Sequence, residues 1–192
     1  MRSGQNTATN HLGQQLAGAL LVAVFTITSV WAGQVSADPI DRFVGVYSGE
    51  VDVEIDGEMV QRDASVEIEA ASPGFVVSWT TATRRSDGSI KEKSYTVDFR
   101  PTLRDGVFGA AMRKNVFGKE VPLDPMKGEP YVWSRIVGDT LSVFSIYVYD
   151  DGSYEIQQFD RTLVEGGLEL QFSSAKNGKV RRRLTAFLER ES

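Results

Sequence analysis

Carboxylates are the side chains best suited to acid–base chemistry here, because residues 38–192 contain neither histidine nor cysteine. Paired carboxylates can act as general acid and base without histidine. Glu120, Asp124 and Glu129 lie near one another in a loop. Their spacing fixes no distance between the carboxyl groups, so a histidine-free enzyme is only the third of three functional hypotheses.

The lack of histidine and cysteine also excludes several kinds of site. The single histidine, His11, lies in a segment that we expect to be removed. Without it, the chain has no Ser-His-Asp triad, no Cys-His dyad and no histidine ligand for zinc or haem. Asp150-Asp151-Gly152 contains part of a calcium loop but lacks the full ligand spacing, so we interpret it as a hairpin turn. We therefore predict no enzyme activity, no metal site and no cofactor.

A second set of side chains could bind a small molecule. Arg135 has the same strand parity as one of the aromatic residues and would give the set a polar contact for an acid or headgroup. If Arg135 is buried it needs a partner, and if the parity is reversed it is exposed. A packed core is the alternative to a cavity. The aromatic candidates, on faces that we assign as inward, are Trp79, Tyr95, Trp133 and Tyr147.

The N-terminal residues 1–37 are typical of a secretory signal. Arg2 precedes an apolar run at residues 16–32, and Val35-Ser36-Ala37 supplies the small residues that signal peptidase needs. We expect an exported protein, periplasmic or secreted. The alternative is a chain anchored in the membrane by uncleaved residues 16–32. After cleavage we expect no stable membrane span, and the net charge of −5 does not favour nucleic-acid binding.

Residues 38–192 alternate between apolar and polar positions almost throughout, which predicts β-strands in a single domain. Turn pairs such as Asp56-Gly57, Gly138-Asp139 and Asn177-Gly178 separate the strands by short hairpins. Successive hairpins favour an all-β, antiparallel, up-and-down barrel of about 8–10 strands, because closure removes exposed edges. A β-sandwich is the alternative architecture.

Two stretches interrupt this regular pattern. Residues 113–130 are rich in glycine, proline and apolar side chains, and we interpret them as a flap over the barrel mouth. Residues 141–149 are apolar on both faces, so the outer face, with Phe144, Ile146 and Val148, needs a cover. The cover would be the flap, a ligand or a second subunit, which makes a homo-oligomer or a cell-envelope partner possible.

Arg181-Arg182-Arg183 predicts a solvated strand edge, with an anion site as the alternative.

The segment Phe43-Val44-Gly45-Val46-Tyr47 resembles the G-x-W signature that opens lipocalin-like (calycin) barrels. In those families a tryptophan closes one end of the barrel and an arginine from the last strand packs across it. The resemblance implies that Tyr47 takes the place of the tryptophan, with Arg190 or Arg182 as its partner. Arg190 fits better, because the end of the last antiparallel strand lies beside the start of the first.

The sequence thus predicts an exported, lipocalin-like protein that binds a small apolar or amphipathic molecule. A cell-envelope interaction protein without a small-molecule ligand is the second hypothesis.

Overall fold

The computed structural model describes residues 38–55, 58–84, 88–114 and 117–192. They belong to one compact unit, Ser36–Ser192. The predicted signal at residues 1–37 and the predicted turn residues Asp56 and Gly57 lie outside the described residues. Within the described ranges, no helix is both apolar and long enough to cross a membrane.

The described residues form twelve strands and one short 3-10 helix, Pro125–Lys127. The strands are β1 (Gly45–Ile55), β2 (Glu58–Ala70), β3 (Phe75–Arg84), β4 (Ile90–Pro101), β5 (Val107–Ala110), β6 (Arg113–Lys114), β7 (Glu120–Val121), β8 (Tyr131–Val137), β9 (Thr140–Val148), β10 (Tyr154–Val164), β11 (Gly167–Lys176) and β12 (Lys179–Arg190).

Ten of these strands form a closed antiparallel barrel, in the order β1-β12-β11-β10-β9-β8-β5-β4-β3-β2. Each barrel strand is hydrogen-bonded to the next barrel strand along the chain, and β12 pairs with β1 to close the barrel. The prediction of an all-β, up-and-down barrel is confirmed. Its sandwich alternative is not the observed architecture. The β6–β7 hairpin and the 3-10 helix lie between β5 and β8, in the predicted flap segment.

One end of the barrel is closed by packed apolar side chains. Ile40 and Phe43, in the turns before β1, are both buried, and backbone hydrogen bonds such as Phe43 N to Ile40 O (2.8 Å) shape that segment. Phe75 packs against Phe99 and Phe108, with ring centroids 5.2 and 4.9 Å away. This packed base gives the barrel its largest continuous apolar core.

The opposite end is open and more polar. Inward positions near this end of the strands carry side chains such as Lys93, Gln157 and Arg182, which line internal space. The β5 strand pairs with Phe99–Pro101 only, at the last part of β4. Among the described residues, the first part of β4 is therefore paired with β3 alone, which leaves an opening in the wall beside the flap segment.

Close approach of β11 to β12 makes Gly167 a sensitive position. A Cβ atom at Gly167 would lie 2.0 Å from the carbonyl oxygen of Leu188. We expect Gly167→Ala to lower the free energy of unfolding by about 1–3 kcal/mol or more, because the strands must move apart. Gly109→Ala in β5 is the matched control, since the nearest atom to its Cβ would be 3.9 Å away. Urea unfolding followed by circular dichroism compares them, and equal effects would contradict the packing argument.

Candidate functional site

The barrel interior contains a cavity of about 650 Å³ towards its open end. This cavity, which we call the aromatic compartment, extends from the interior to the wall opening, where Asp98 of β4 and Ala111 line it. Such a volume falls within the range of small-molecule sites, which are mostly apolar with a few polar groups. Its inner lining includes Trp79, Tyr95, Val97, Val143, Tyr147 and Phe159.

The flap segment contributes directly to the lining of this compartment. Leu123 and Pro130 both line it. The segment is held in shape by its own polar contacts: Arg113 pairs with Glu129 at 3.0 Å, and Asp124 caps the 3-10 helix through Met126 N. The described part of this segment thus combines internal polar contacts with side chains that line the cavity.

Trp79 and Phe159 divide the interior in two. They come from β3 and β10, which stand on opposite sides of the barrel in the strand order, and their ring centroids lie 5.6 Å apart. Behind this pair lies a second cavity of about 240 Å³, which shares Trp79, Tyr95, Gln157 and Phe159 with the first. We call it the basic compartment, because its charged lining residues are Arg62, Lys93, Arg161 and Arg182.

Arg161 is the most deeply buried polar side chain at this site. It is 1 % exposed, and its Nε and Nη1 atoms have no hydrogen-bond partner within the described structure. Its guanidinium carbon lies 5.6 Å from the Trp79 ring centroid and 5.5 Å from that of Phe159. Burial lowers the pKa of Arg161 to about 10, and the charge of Asp160 opposes this effect. Arg161 is thus still a cation at neutral pH.

A polar rim surrounds the mouth near β10. Glu155 accepts hydrogen bonds from Tyr149 Oη (2.9 Å) and Gln157 Nε2 (3.0 Å). Burial raises the pKa of Glu155, but these hydrogen bonds, one from Ser174 and the charge of Arg182 outweigh it, so the net shift is downward. Glu155 is therefore ionised at neutral pH and partly balances Arg182 at the rim.

Three of the five predicted cavity residues come together. Trp79, Tyr95 and Tyr147 all line the aromatic compartment, and the rings of Trp79 and Tyr95 stack at 5.4 Å. Tyr95 is nevertheless 48 % exposed, because it lies near the open end. Burial, followed by the nearby Tyr95, raises the pKa of Tyr147, so this phenol stays neutral and can donate a hydrogen bond.

The prediction that Trp133 faces inward is wrong, and of the two alternatives for Arg135 the exposed one is observed. On β8 the inward residues are Val132 and Ser134, both buried, whereas Arg135 is exposed. Trp133 lines a groove outside the barrel with Tyr131 and other residues. Both faces of this strand carry apolar side chains, and the small Ser134 fits opposite the buried Phe108, where a tryptophan would not.

This reversal identifies what lies on the outer face of β9. The Trp133 ring stacks on Phe144 at 5.0 Å, and the Arg135 guanidinium lies 5.6 Å above the same ring. Phe144, Ile146 and Val148 are each partly buried. Phe144 is therefore covered by its neighbouring strand.

Tyr47 and Arg190 meet at the closed end, where they are register partners of β1 and β12. The Arg190 guanidinium lies 5.6 Å from the Tyr47 ring centroid and donates a hydrogen bond to the carbonyl of Val44. Tyr47 is fully buried and donates to Phe43 O at 2.9 Å. Burial raises its pKa, and the positive charge of Arg190 acts in the opposite direction.

Two of the three loop carboxylates are engaged in local contacts. Glu129 bonds to Arg113 and to Asp124 N, while Asp124 caps the 3-10 helix. No group of three or more metal-ligating side chains occurs among the residues that the structure describes.

Sequence reasoning missed Arg161 and Arg62 as site residues. Phe159, Arg161 and Leu163 alternate on one face of β10, and a charge between two apolar inward residues is the pattern that could have revealed a buried cation. No family model matches this chain, and no curated protein matches it either.

Proposed function

We propose that this chain is an exported, lipocalin-like binding protein that holds a small apolar or amphipathic molecule in the aromatic compartment. The observation that carries this proposal is a cavity of about 650 Å³, lined by aromatic residues and reached through an opening beside the flap segment. No step of catalysis is part of the proposal, and two of the flap carboxylates, Asp124 and Glu129, are engaged in local structure.

Several features of the compartment suit a ligand with a large apolar part. Stacked rings such as Trp79 and Tyr95 offer flat apolar surface at low conformational cost. Tyr147 and Gln157 supply polar atoms that can orient the ligand. The packed base beneath the cavity holds the strands in place, so the site is already formed before binding.

A neutral fluorescent probe, N-phenyl-1-naphthylamine, tests this proposal. We expect one molecule to bind per full-length chain. Trp79→Ala should weaken binding about 10-fold, because it removes an inner aromatic wall. Trp133→Ala is the matched control on the outer face and should change binding less than about twofold. Absence of probe binding, or an equal loss in both variants, would overturn the proposal.

The cell-envelope partner remains the second candidate. The observation in its favour is the outer aromatic row of Tyr131, Trp133 and Phe144. However, these rings already pack on one another and on Arg135, which reduces what a partner would gain by covering them. Light scattering of the full chain distinguishes the two, since this candidate requires an oligomer or a captured partner.

A further inference from the structure

Arg161 is a buried charge that the barrel alone does not satisfy. Buried charges are normally paired or fully hydrogen-bonded, because removal from water is strongly unfavourable. Here two of the guanidinium nitrogens, Nε and Nη1, have no partner in the described residues. Asp160 is the acidic residue whose charge acts on Arg161. It lies on the other face of β10, where its carboxylate accepts hydrogen bonds from Ser142 and Gln158. The rings of Trp79 and Phe159 lie beside this cation, with centroids 5.6 and 5.5 Å from the guanidinium carbon.

The surroundings of Arg161 are basic as well. Arg62, Lys93 and Arg182 line the same compartment, and none of its described lining residues is acidic. The Nε atom of Arg62 is also buried without a hydrogen-bond partner. Glu155 at the rim interacts with Arg182 but does not line the compartment. Lys93 and Arg182 are exposed to solvent, whereas Arg161 is buried and Arg62 partly buried, so the positive potential of the compartment is least screened around Arg161.

We propose that the basic compartment binds the anionic group of an amphipathic ligand, with Arg161 as its innermost contact and Arg62 and Lys93 nearer the mouth. This inference rests on the proposed function, because the apolar part of the same molecule would occupy the adjoining aromatic compartment. The two compartments share Trp79, Tyr95, Gln157 and Phe159, so one molecule can extend past the Trp79–Phe159 pair. The ligand class is an organic acid that carries a carboxylate, sulfonate or phosphate on an apolar body.

The guanidinium of Arg161 suits such a group for chemical reasons. Arginine remains charged in apolar surroundings and presents several N–H donors in a plane, which match two oxygens of a carboxylate or phosphate. Aromatic rings stabilise the cation while the site is empty. An anion that reaches Nε and Nη1 would replace these weak contacts by charge-assisted hydrogen bonds.

Two dyes that differ by one group provide the test. N-phenyl-1-naphthylamine is neutral, and 1-anilinonaphthalene-8-sulfonate adds a sulfonate to the same skeleton. We expect the full-length protein to bind the sulfonate about 10- to 100-fold more tightly, as charge-assisted hydrogen bonds to a buried group predict. In Arg161→Met the two dyes should bind about equally well, and the affinity for the neutral dye should stay within about threefold of its original value.

Further variants protect the test from misfolding and from surface binding. Arg62→Met and Lys93→Met should each lower the sulfonate preference about threefold, whether or not Arg161→Met folds. Arg183→Met, on the exposed outer face of β12, is the control and should leave the preference unchanged. Displacement of the sulfonate dye by decanoate, but not by acetate or inorganic phosphate, would support an amphipathic acid and not a small inorganic anion.

The outcomes separate this inference from the proposed function. If neither dye binds, the proposed function itself fails, and this inference fails with it. If the neutral dye binds but the sulfonate binds no better, only the anionic subsite is wrong. A sulfonate preference that survives Arg161→Met, Arg62→Met and Lys93→Met would also overturn the subsite, because the charge would then be recognised elsewhere.

Discussion

Replacing Arg161 with methionine is expected to stabilise the unliganded protein by about 1–4 kcal/mol, even though it removes a charge from the proposed binding site. The reason is the penalty of burying an unpaired cation. Burial lowers the pKa of Arg161 to about 10, and this shift corresponds to about 3 kcal/mol against the charged form. Methionine keeps a flexible apolar chain in the same space. Urea unfolding of the wild-type and variant proteins, both freed of ligand, measures the gain.

The pH dependence of this gain has a defined direction. Below about pH 10 Arg161 is protonated in both the folded and the unfolded chain, so the penalty is complete. From about pH 10 up to the ordinary pKa of an arginine, the folded chain loses the proton first, and the stability of the wild type rises relative to the variant. The advantage of Arg161→Met should therefore shrink over this interval. Arg183→Met, at an exposed outward position, should change stability by less than about 0.5 kcal/mol. A destabilised Arg161→Met variant would show that the guanidinium has partners in the folded state.

Phe75→Ala is expected to destabilise the barrel by about 3–5 kcal/mol. Phe75 is fully buried and contacts Phe99 and Phe108 in the packed base. Its removal leaves a cavity that the surrounding strands can fill only in part, since they are fixed by hydrogen bonds on both sides. Urea unfolding measures the loss.

Phe187→Ala is the matched control for Phe75→Ala. Phe187 belongs to β12 but is 51 % exposed on the outside of the barrel. We expect its loss to change the free energy of unfolding by less than about 1 kcal/mol. If both variants lost a similar free energy of unfolding, the packed closed end would not be the main source of stability, and this prediction would be contradicted.

The hairpin pattern of the fold could be predicted because each hairpin depends on the residues of its own turn. Asn177 and Gly178, for example, form a two-residue turn with φ angles of 49° and 76°, as a hairpin of this length requires. Alternation along each strand then gives its two faces. The pairing of Tyr47 with Arg190 also follows from chain order, once the last strand is taken to return beside the first.

The orientation of β8 could not be predicted in the same way. Its residues are apolar on both faces, so only the neighbouring strands decide which face is inside. Trp133 lies opposite Phe144 across the pair with β9, and both rings bury surface by stacking outside the barrel. The pattern of one strand contains no information on that register, and the error moved Arg135 to the wrong side.

Arg161 was overlooked for a different reason. A charged residue within a strand is usually taken as solvent-exposed, since isolated buried charges are rare. Its burial depends on β3, far away in the sequence, which places Trp79 across the barrel. The burial of this cation therefore results from barrel closure and not from local sequence.

The pairing of β1 with β12 has a consequence for how the protein folds. Arg190 and Val44 are joined by a hydrogen bond although they are 146 positions apart in the chain. The entropic barrier to such a contact grows with the length of chain that it closes, so the intervening hairpins must assemble before this contact becomes favourable. We therefore expect closure to be a late event in folding, and the two internal compartments to form only with it. A nascent chain has strands and turns well before it has an interior in which a ligand could be held.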